Sequence, residues 1–147
     1  GEALHYETEL AFMVNNGELA AVALGRDLTK RQLQSRLQEK ALPWDRAKAF
    51  DGAALFSECV ARPESLASLR LRLLVNGQLR QEGGPDLMLH SPADILRELE
   101  TFTTLEDGDI IMTGTPAGVG PVTSGAHYHG QVLHDEDVLV EVNWHAN

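Results

Sequence analysis

Apolar and polar residues alternate along much of this chain, and two stretches lengthen that period to helical spacing. From Tyr6 to Val14, one face of a predicted strand carries Tyr6, Thr8, Leu10, Phe12 and Val14, and the other carries Glu7, Glu9, Ala11 and Met13. Asn16-Gly17 follows, two residues that tolerate positive φ, and Leu19 to Leu24 reads as a second short strand. Leu69 to Val75 alternates leucine with arginine, and Asn76-Gly77 turns it into Gln78 to Glu82, a second hairpin. Asp109 to Thr113 suits a buried strand, and Val138 to Trp144 a final one.

Helical spacing appears first after Thr29, which with Gln32 matches a capping box. Leu33 and Leu37 stand at i, i+4, so a helix is predicted from about Lys30 to Lys40, with Pro43 as its stop. Ser91-Pro92 places a cap and a first-turn proline before Ile95, Leu96, Leu99 and Phe102, the apolar stripe of a second helix. The predicted class is mixed α/β with more strand than helix, and the segment SGAHYHG reads as loop.

Composition narrows the picture. A chain of 147 residues, 43% hydrophobic and 23% charged, fits one soluble domain. Twelve basic against 22 acidic residues give a net charge of −10, which argues against a nucleic-acid partner. No apolar run reaches the roughly 20 residues of a membrane span, and GEALHYETEL has neither the basic start nor the apolar core of a signal peptide. Cys59 is the sole cysteine, so no intrachain disulfide forms, and a reducing compartment such as the cytoplasm is expected.

Four constellations carry candidate chemistry. Glu7-x-Glu9 projects two carboxylates from one strand face, about 6.6 Å apart at the backbone, close enough to converge on one cation. Asp27 precedes Arg31 and Gln34 at +4 and +7, and all three share a face if the helix begins near Asp27. Such a face offers a third carboxylate, an anion clamp and an amide. Lys48 stands between Trp44 and Phe50, where apolar walls would ease its deprotonation or sharpen its charge. Gly108 to Gly120 is a strand feeding a glycine-rich loop able to aim N–H groups and a threonine hydroxyl at an anion. It has neither the Lys-Ser/Thr of a P-loop nor the following helix of a dinucleotide fingerprint. Taken singly, each also reads as ordinary surface or turn: a solvated acidic face, a dipole-favouring Asp, a solvated lysine, a tight glycine turn. His127-x-His129 would suit a transition metal on a strand, but in its predicted loop the pair reads as surface histidines.

The stretches LHYETEL, DLTKRQLQ, LPWDRAKAFD, VNGQLRQEG and GDIIMTGTPAGVGPV, running from Leu4 to Val122, resemble the C-terminal catalytic domain of the fumarylacetoacetate hydrolase family. The likeness is strongest to the acylpyruvase and oxaloacetate decarboxylase branch. It implies a mixed β-sandwich roll with a few short helices, a single catalytic domain over residues 1–147, and a homodimer. It implies one divalent cation on Glu7, Glu9 and Asp27, Mg²⁺ in preference to Ca²⁺ or Mn²⁺. Arg31, Gln34, Lys48 and Thr115 then line the substrate pocket, with Lys48 as the catalytic residue stabilising enolate charge. The implied reaction is hydrolysis of a C–C bond in acylpyruvates or related β-diketo acids, with decarboxylation of oxaloacetate as a further activity. A decarboxylase/isomerase of aromatic-catabolism oxo acids and a catalytically silent metal-binding module are the alternatives. Three stretches depart from the family pattern. Nothing before Glu7 matches its N-terminal lid segment with a water-activating His–Glu pair. Residues 19–25 are shorter than its helix-bearing connection, and residues 124–133 do not match its continuation, as though residues were missing at both places.

Overall fold

Asn16 and Gly17 take φ of 50° and 72°, and Asn76 and Gly77 take 49° and 77°, so both Asn-Gly pairs form the left-handed turns that hairpins need. The computed structural model describes residues 3–147; Gly1 and Glu2, part of the span read as one domain, lie outside it. In chain order the elements are β1 (Leu4–Tyr6), β2 (Thr8–Asn15), β3 (Glu18–Asp27), β4 (Thr29–Lys30), α1 (Arg31–Glu39), β5 (Ala54–Phe56) and β6 (Val60–Ala61). Then follow β7 (Leu69–Val75), β8 (Gln78–Gly83), α2 (Pro92–Glu100), β9 (Ile110–Met112), β10 (Gly120–Pro121), β11 (His127–His134) and β12 (Asp137–His145).

The strands make a five-stranded sheet in the order β5-β3-β2-β9, with β6 also on β3, and a four-stranded sheet β12-β11-β7-β8. A small third sheet, β10-β1-β4, closes one end. The two large sheets pack face to face. Leu10, Phe12 and Val14 of β2 and Val22 and Leu24 of β3 meet Leu69 and Leu71 of β7, Val132 of β11 and Val140 of β12. Each such buried side chain contributes about 1.5–3 kcal/mol over its exposed state. Ile95, Leu96 and Leu99 of α2 pack against the same core. Because β2 alternates, sending Thr8, Leu10 and Phe12 inward sends Glu9 and Ala11 to the opposite face, where the candidate chemistry lies.

Several expectations are corrected. The predicted strand Tyr6–Val14 is interrupted at Glu7, which falls between β1 and β2. Helix α1 begins at Arg31 without a side-chain cap, so Thr29 and Gln32 form no capping box and Asp27 belongs to β3, not to the helix face. The one buried residue of α1 is Gln34 rather than its leucines. Phe102 lies beyond the end of α2 and is 72% exposed, outside the packed stripe. Residues 127–130, read as loop, open the central strand β11, because Tyr128, Gly130 and Val132 point inward at every second position. Residues 19–25 lie within β3, which pairs with β2 from Thr8↔Arg26 to Asn15↔Glu18. Residues 127–133 likewise pair continuously with β7.

Candidate metal centre

Glu7, Glu9 and Asp27 reach one another because β2 and β3 are antiparallel neighbours. Glu9 stands opposite Gly25, and the amide of Asp27 donates to the carbonyl of Glu7 at 2.7 Å. One oxygen from each of the three carboxylates lies within 4.8 Å of the others. The other pieces arrive from distant sequence. Lys48 follows the single helical turn Asp45–Ala47, anchored by the fully buried Ala47. Its Nζ donates to Asp27 Oδ2 at 2.6 Å, Glu7 Oε2 at 2.7 Å and Thr29 Oγ1 at 2.8 Å. Arg31, the first residue of α1, donates from Nη2 to Glu7 Oε1 at 2.5 Å and from Nη1 to Gln34 Oε1 at 2.6 Å. The helix therefore unites Arg31 and Gln34 at i, i+3, and Arg31 crosses to Glu7.

The electrostatics separate the carboxylates. Burial opposes charge on Glu7, but hydrogen bonds and attraction from Lys48, then Arg31, outweigh it and hold its pKa below the ordinary carboxylate value. Glu9 is 5% exposed. Its burial, with repulsion from Asp27 and Glu7, pushes its pKa up to about 7 despite the hydrogen bond from Gly114 and attraction from Lys48. For Lys48, burial works against charge, yet the bonds to Asp27 and Glu7 prevail and raise its pKa. This corrects the expectation of apolar walls: Trp44 is 41% exposed, and the ring of Phe50 lies under Lys30 Nζ at 4.4 Å. Lys48 is held among oxygens, which tighten its grip on a proton.

The glycine-rich loop after β9 folds back on this cluster. The amide of Gly114, at φ 101°, donates to Glu9 Oε2 at 2.6 Å. Thr115 turns its hydroxyl to the carbonyl of Thr8 at 2.8 Å and accepts a hydrogen bond from Gln81 Nε2 at 2.8 Å. Its side chain is thus engaged with the scaffold. The loop also lines a cavity of about 390 Å³, bordered by Leu10, Leu71, Leu87, Met88 and Ile95. Two polar residues that sequence reasoning passed over stand behind the site. Gln81, 1% exposed, links β8 to Thr8 and the loop. Arg26, 3% exposed, lies over the Tyr128 ring at 3.9 Å. Alternation along β8 would have marked Gln81 only as one face of a strand.

Three convergent carboxylate oxygens are a donor set suited to a hard divalent cation. Glu9 suits such a site: it is the buried member whose charge lacks a close cationic partner, and a cation among the three would supply it. Among the described residues this is the one cluster of three or more such groups able to hold a metal ion. Among the described residues, no helix is long and apolar enough to cross a membrane.

A family model described as fumarylacetoacetate (FAA) hydrolase C-terminal matches residues 1–145. The chain is 39% identical over 166 residues to the mitochondrial oxaloacetate tautomerase FMP41 of Saccharomyces cerevisiae, covering 98% of this chain and 64% of the relative. It is 33% identical over 137 residues to the oxaloacetate tautomerase YcgM of Escherichia coli, covering 84% and 63%. The chain thus spans less than two thirds of these relatives' length. Among solved structures, a yeast fumarylacetoacetate hydrolase family protein superposes with a TM-score of 0.91 at 38% identity, covering 99% of this chain and 68% of that one. A fumarylpyruvate hydrolase of Pseudomonas aeruginosa, solved in complex with Mn²⁺ and pyruvate, does so at 0.88 and 30%, covering 98% and 66%. Family model, relatives and fold agree: the chain belongs to the fumarylacetoacetate hydrolase family.

Proposed function

We propose that this chain interconverts the keto and enol forms of a small 2-oxo acid of the oxaloacetate type, with a divalent cation on Glu7, Glu9 and Asp27. The observation that carries the reading is the meeting of these three carboxylates with the ammonium of Lys48. When bound, the cation supplies Lewis-acid chemistry, lowering the cost of negative charge on a 2-oxo acid. Lys48 keeps its proton, because Glu7 and Asp27 stabilise the ammonium, and serves as a hydrogen-bond donor to developing enolate charge, not as a base. Arg31 spends one N–H on Glu7 and one on Gln34 and keeps others for a substrate carboxylate. Gln34, the buried residue of α1, fixes that guanidinium. Thr115 shapes the pocket through the loop it pins to Thr8. Tautomerisation moves one proton from carbon to oxygen and breaks no bond between heavy atoms. Relatives in yeast and Escherichia coli named as oxaloacetate tautomerases support this choice.

A second reading, hydrolysis of an acylpyruvate to pyruvate and a carboxylic acid, is favoured by the likeness to a fumarylpyruvate hydrolase. It needs the same enolate stabilisation and, in addition, an attacking water. Decarboxylation of oxaloacetate would draw on the same stabilisation. Mg²⁺ is the proposed cation, since it favours few carboxylates with substrate oxygens. The exposed, unpaired Cys59 suits the reducing cytoplasm, and the exposed Leu87 and Leu89 suit a homodimer.

The test follows enol absorbance of oxaloacetate, and cleavage of acetylpyruvate, with Mg²⁺ and with EDTA. Tautomerisation should accelerate with Mg²⁺ and stop with EDTA. Acceleration that survives both EDTA and Glu7→Ala would overturn the reading, and cleavage of acetylpyruvate without tautomerisation would favour the second.

A further inference from the structure

Gln81 belongs to the sheet opposite the carboxylates, yet its amide reaches both parts of the site. Oε1 accepts from the amide of Thr8 at 3.1 Å, and Nε2 donates to Thr115 Oγ1 at 2.8 Å and to the carbonyl of Pro116 at 2.9 Å. The amide's orientation is fixed by its partners, since a backbone N–H only donates and a carbonyl only accepts. Thr8 stands between Glu7 and Glu9 in sequence, and its carbonyl takes the hydroxyl proton of Thr115 at 2.8 Å. Both backbone polar groups of the residue separating two carboxylates are therefore held by Gln81 and the loop Gln81 anchors.

The neighbouring backbone is built for this contact. A Cβ on Gly83 would meet Pro116 at 2.9 Å, and a Cβ on Gly118, at φ 104°, would meet the carbonyl oxygen of Arg80 at 1.8 Å. The loop lies directly on β8, with glycine at both points of approach. Gly114, at the loop's start, holds Glu9. A chain of contacts thus runs from β8 through Gln81 to the loop, and from the loop to Glu9, with a branch through Thr8 to the backbone beside Glu7.

We propose that Gln81 is a positioning residue that locks the 114–116 loop to the carboxylate-bearing strand and so sets the affinity of the Glu7, Glu9 and Asp27 cluster for a divalent cation. This rests on the function proposed above. Groups that orient metal ligands in this way are worth about 10- to 100-fold in affinity. Leucine or methionine at this position would leave the Thr8 amide and the Pro116 carbonyl without their partner.

The test is Mn²⁺ titration of the substrate-free protein, followed by the electron paramagnetic resonance of free Mn²⁺. Wild type is compared with Gln81→Met, Gln81→Asn and Val132→Ala, a cavity-forming variant of a fully buried core residue on β11. Expected is about a tenfold weaker Mn²⁺ affinity in Gln81→Met, with unchanged affinity in Val132→Ala. If Gln81→Met does not fold, Gln81→Asn, too short to span both partners, carries the same expectation. In turnover, the loss should appear in the cation concentration needed for half-activity rather than in kcat at saturating cation. Wild-type affinity in a folded Gln81 variant overturns the inference and leaves the proposed function standing, as does an equal loss in Val132→Ala. Wild type that takes up no Mn²⁺ overturns both.

Discussion

The amide of Gly114 donates to Oε2 of Glu9 at 2.6 Å, joining residues 105 positions apart and tying the glycine-rich loop to the carboxylate cluster. Gly114 adopts φ 101°, and a Cβ there would meet nothing within 4 Å. The cost of a side chain is therefore one of backbone conformation. Gly114→Ala is expected to lose roughly 1–3 kcal/mol of stability and to weaken divalent cation binding as the amide leaves Glu9. Thermal unfolding with and without Mn²⁺ checks both effects.

The elevated pKa of Glu9 makes cation binding pH-dependent. The folded, cation-free protein favours the neutral acid, so as pH climbs from the usual carboxylate range towards about 7, ionisation of Glu9 removes stability. A bound cation reverses the sign, because it needs the carboxylate. Affinity should rise with pH up to about 7 and level off above it, with uptake of the cation below that point releasing a proton. Calorimetric titration with Mn²⁺ in buffers of different ionisation enthalpy measures the proton directly. Affinity that falls as pH rises would contradict the assignment of Glu9.

Lys48 and a bound cation share Glu7 and Asp27. Removing the ammonium in Lys48→Met takes away a positive charge that competes for these oxygens. The variant should bind Mn²⁺ at least as tightly as wild type while kcat for oxaloacetate tautomerisation falls on the order of 100-fold or more. Weaker binding with unchanged kcat would assign Lys48 to holding the carboxylates and not to turnover.

The cap of α2 offers a control remote from the cluster. Ser91 accepts from the amide of Asp94 at 3.1 Å and Asp94 returns the favour by accepting from the amide of Ser91 at 3.1 Å. Ser91→Ala should cost about 1 kcal/mol, read as a lower unfolding temperature, with cation affinity unchanged.

What the sequence made legible was local. Both Asn-Gly turns, the face of β2 that buries Leu10 and Phe12, and the Ser91 cap each depend on a few consecutive residues. The Thr29 signal failed for a tertiary reason: Lys48 Nζ takes its hydroxyl as a hydrogen-bond acceptor, a partner 19 residues away that no capping pattern encodes. The start of the strand at 127–134 was hidden because Gly130 leaves a gap in the inward face between Tyr128 and Val132. Gly130 is where Leu24 of the other sheet comes in, since a Cβ there would meet Leu24 Cδ2 at 2.2 Å. Of the candidate site, Glu7, Glu9 and Asp27 were named from spacing and family likeness, while Gln81 needed the fold, because its burial comes from a loop more than 30 residues further along.

Whether Glu7, Glu9 and Asp27 together hold one hard cation is read from anomalous X-ray scattering by crystals grown with Mn²⁺. A single strong anomalous peak per chain is expected, in contact with an oxygen from each of Glu7, Glu9 and Asp27. A peak elsewhere, or a fully loaded crystal with none between these side chains, would contradict it.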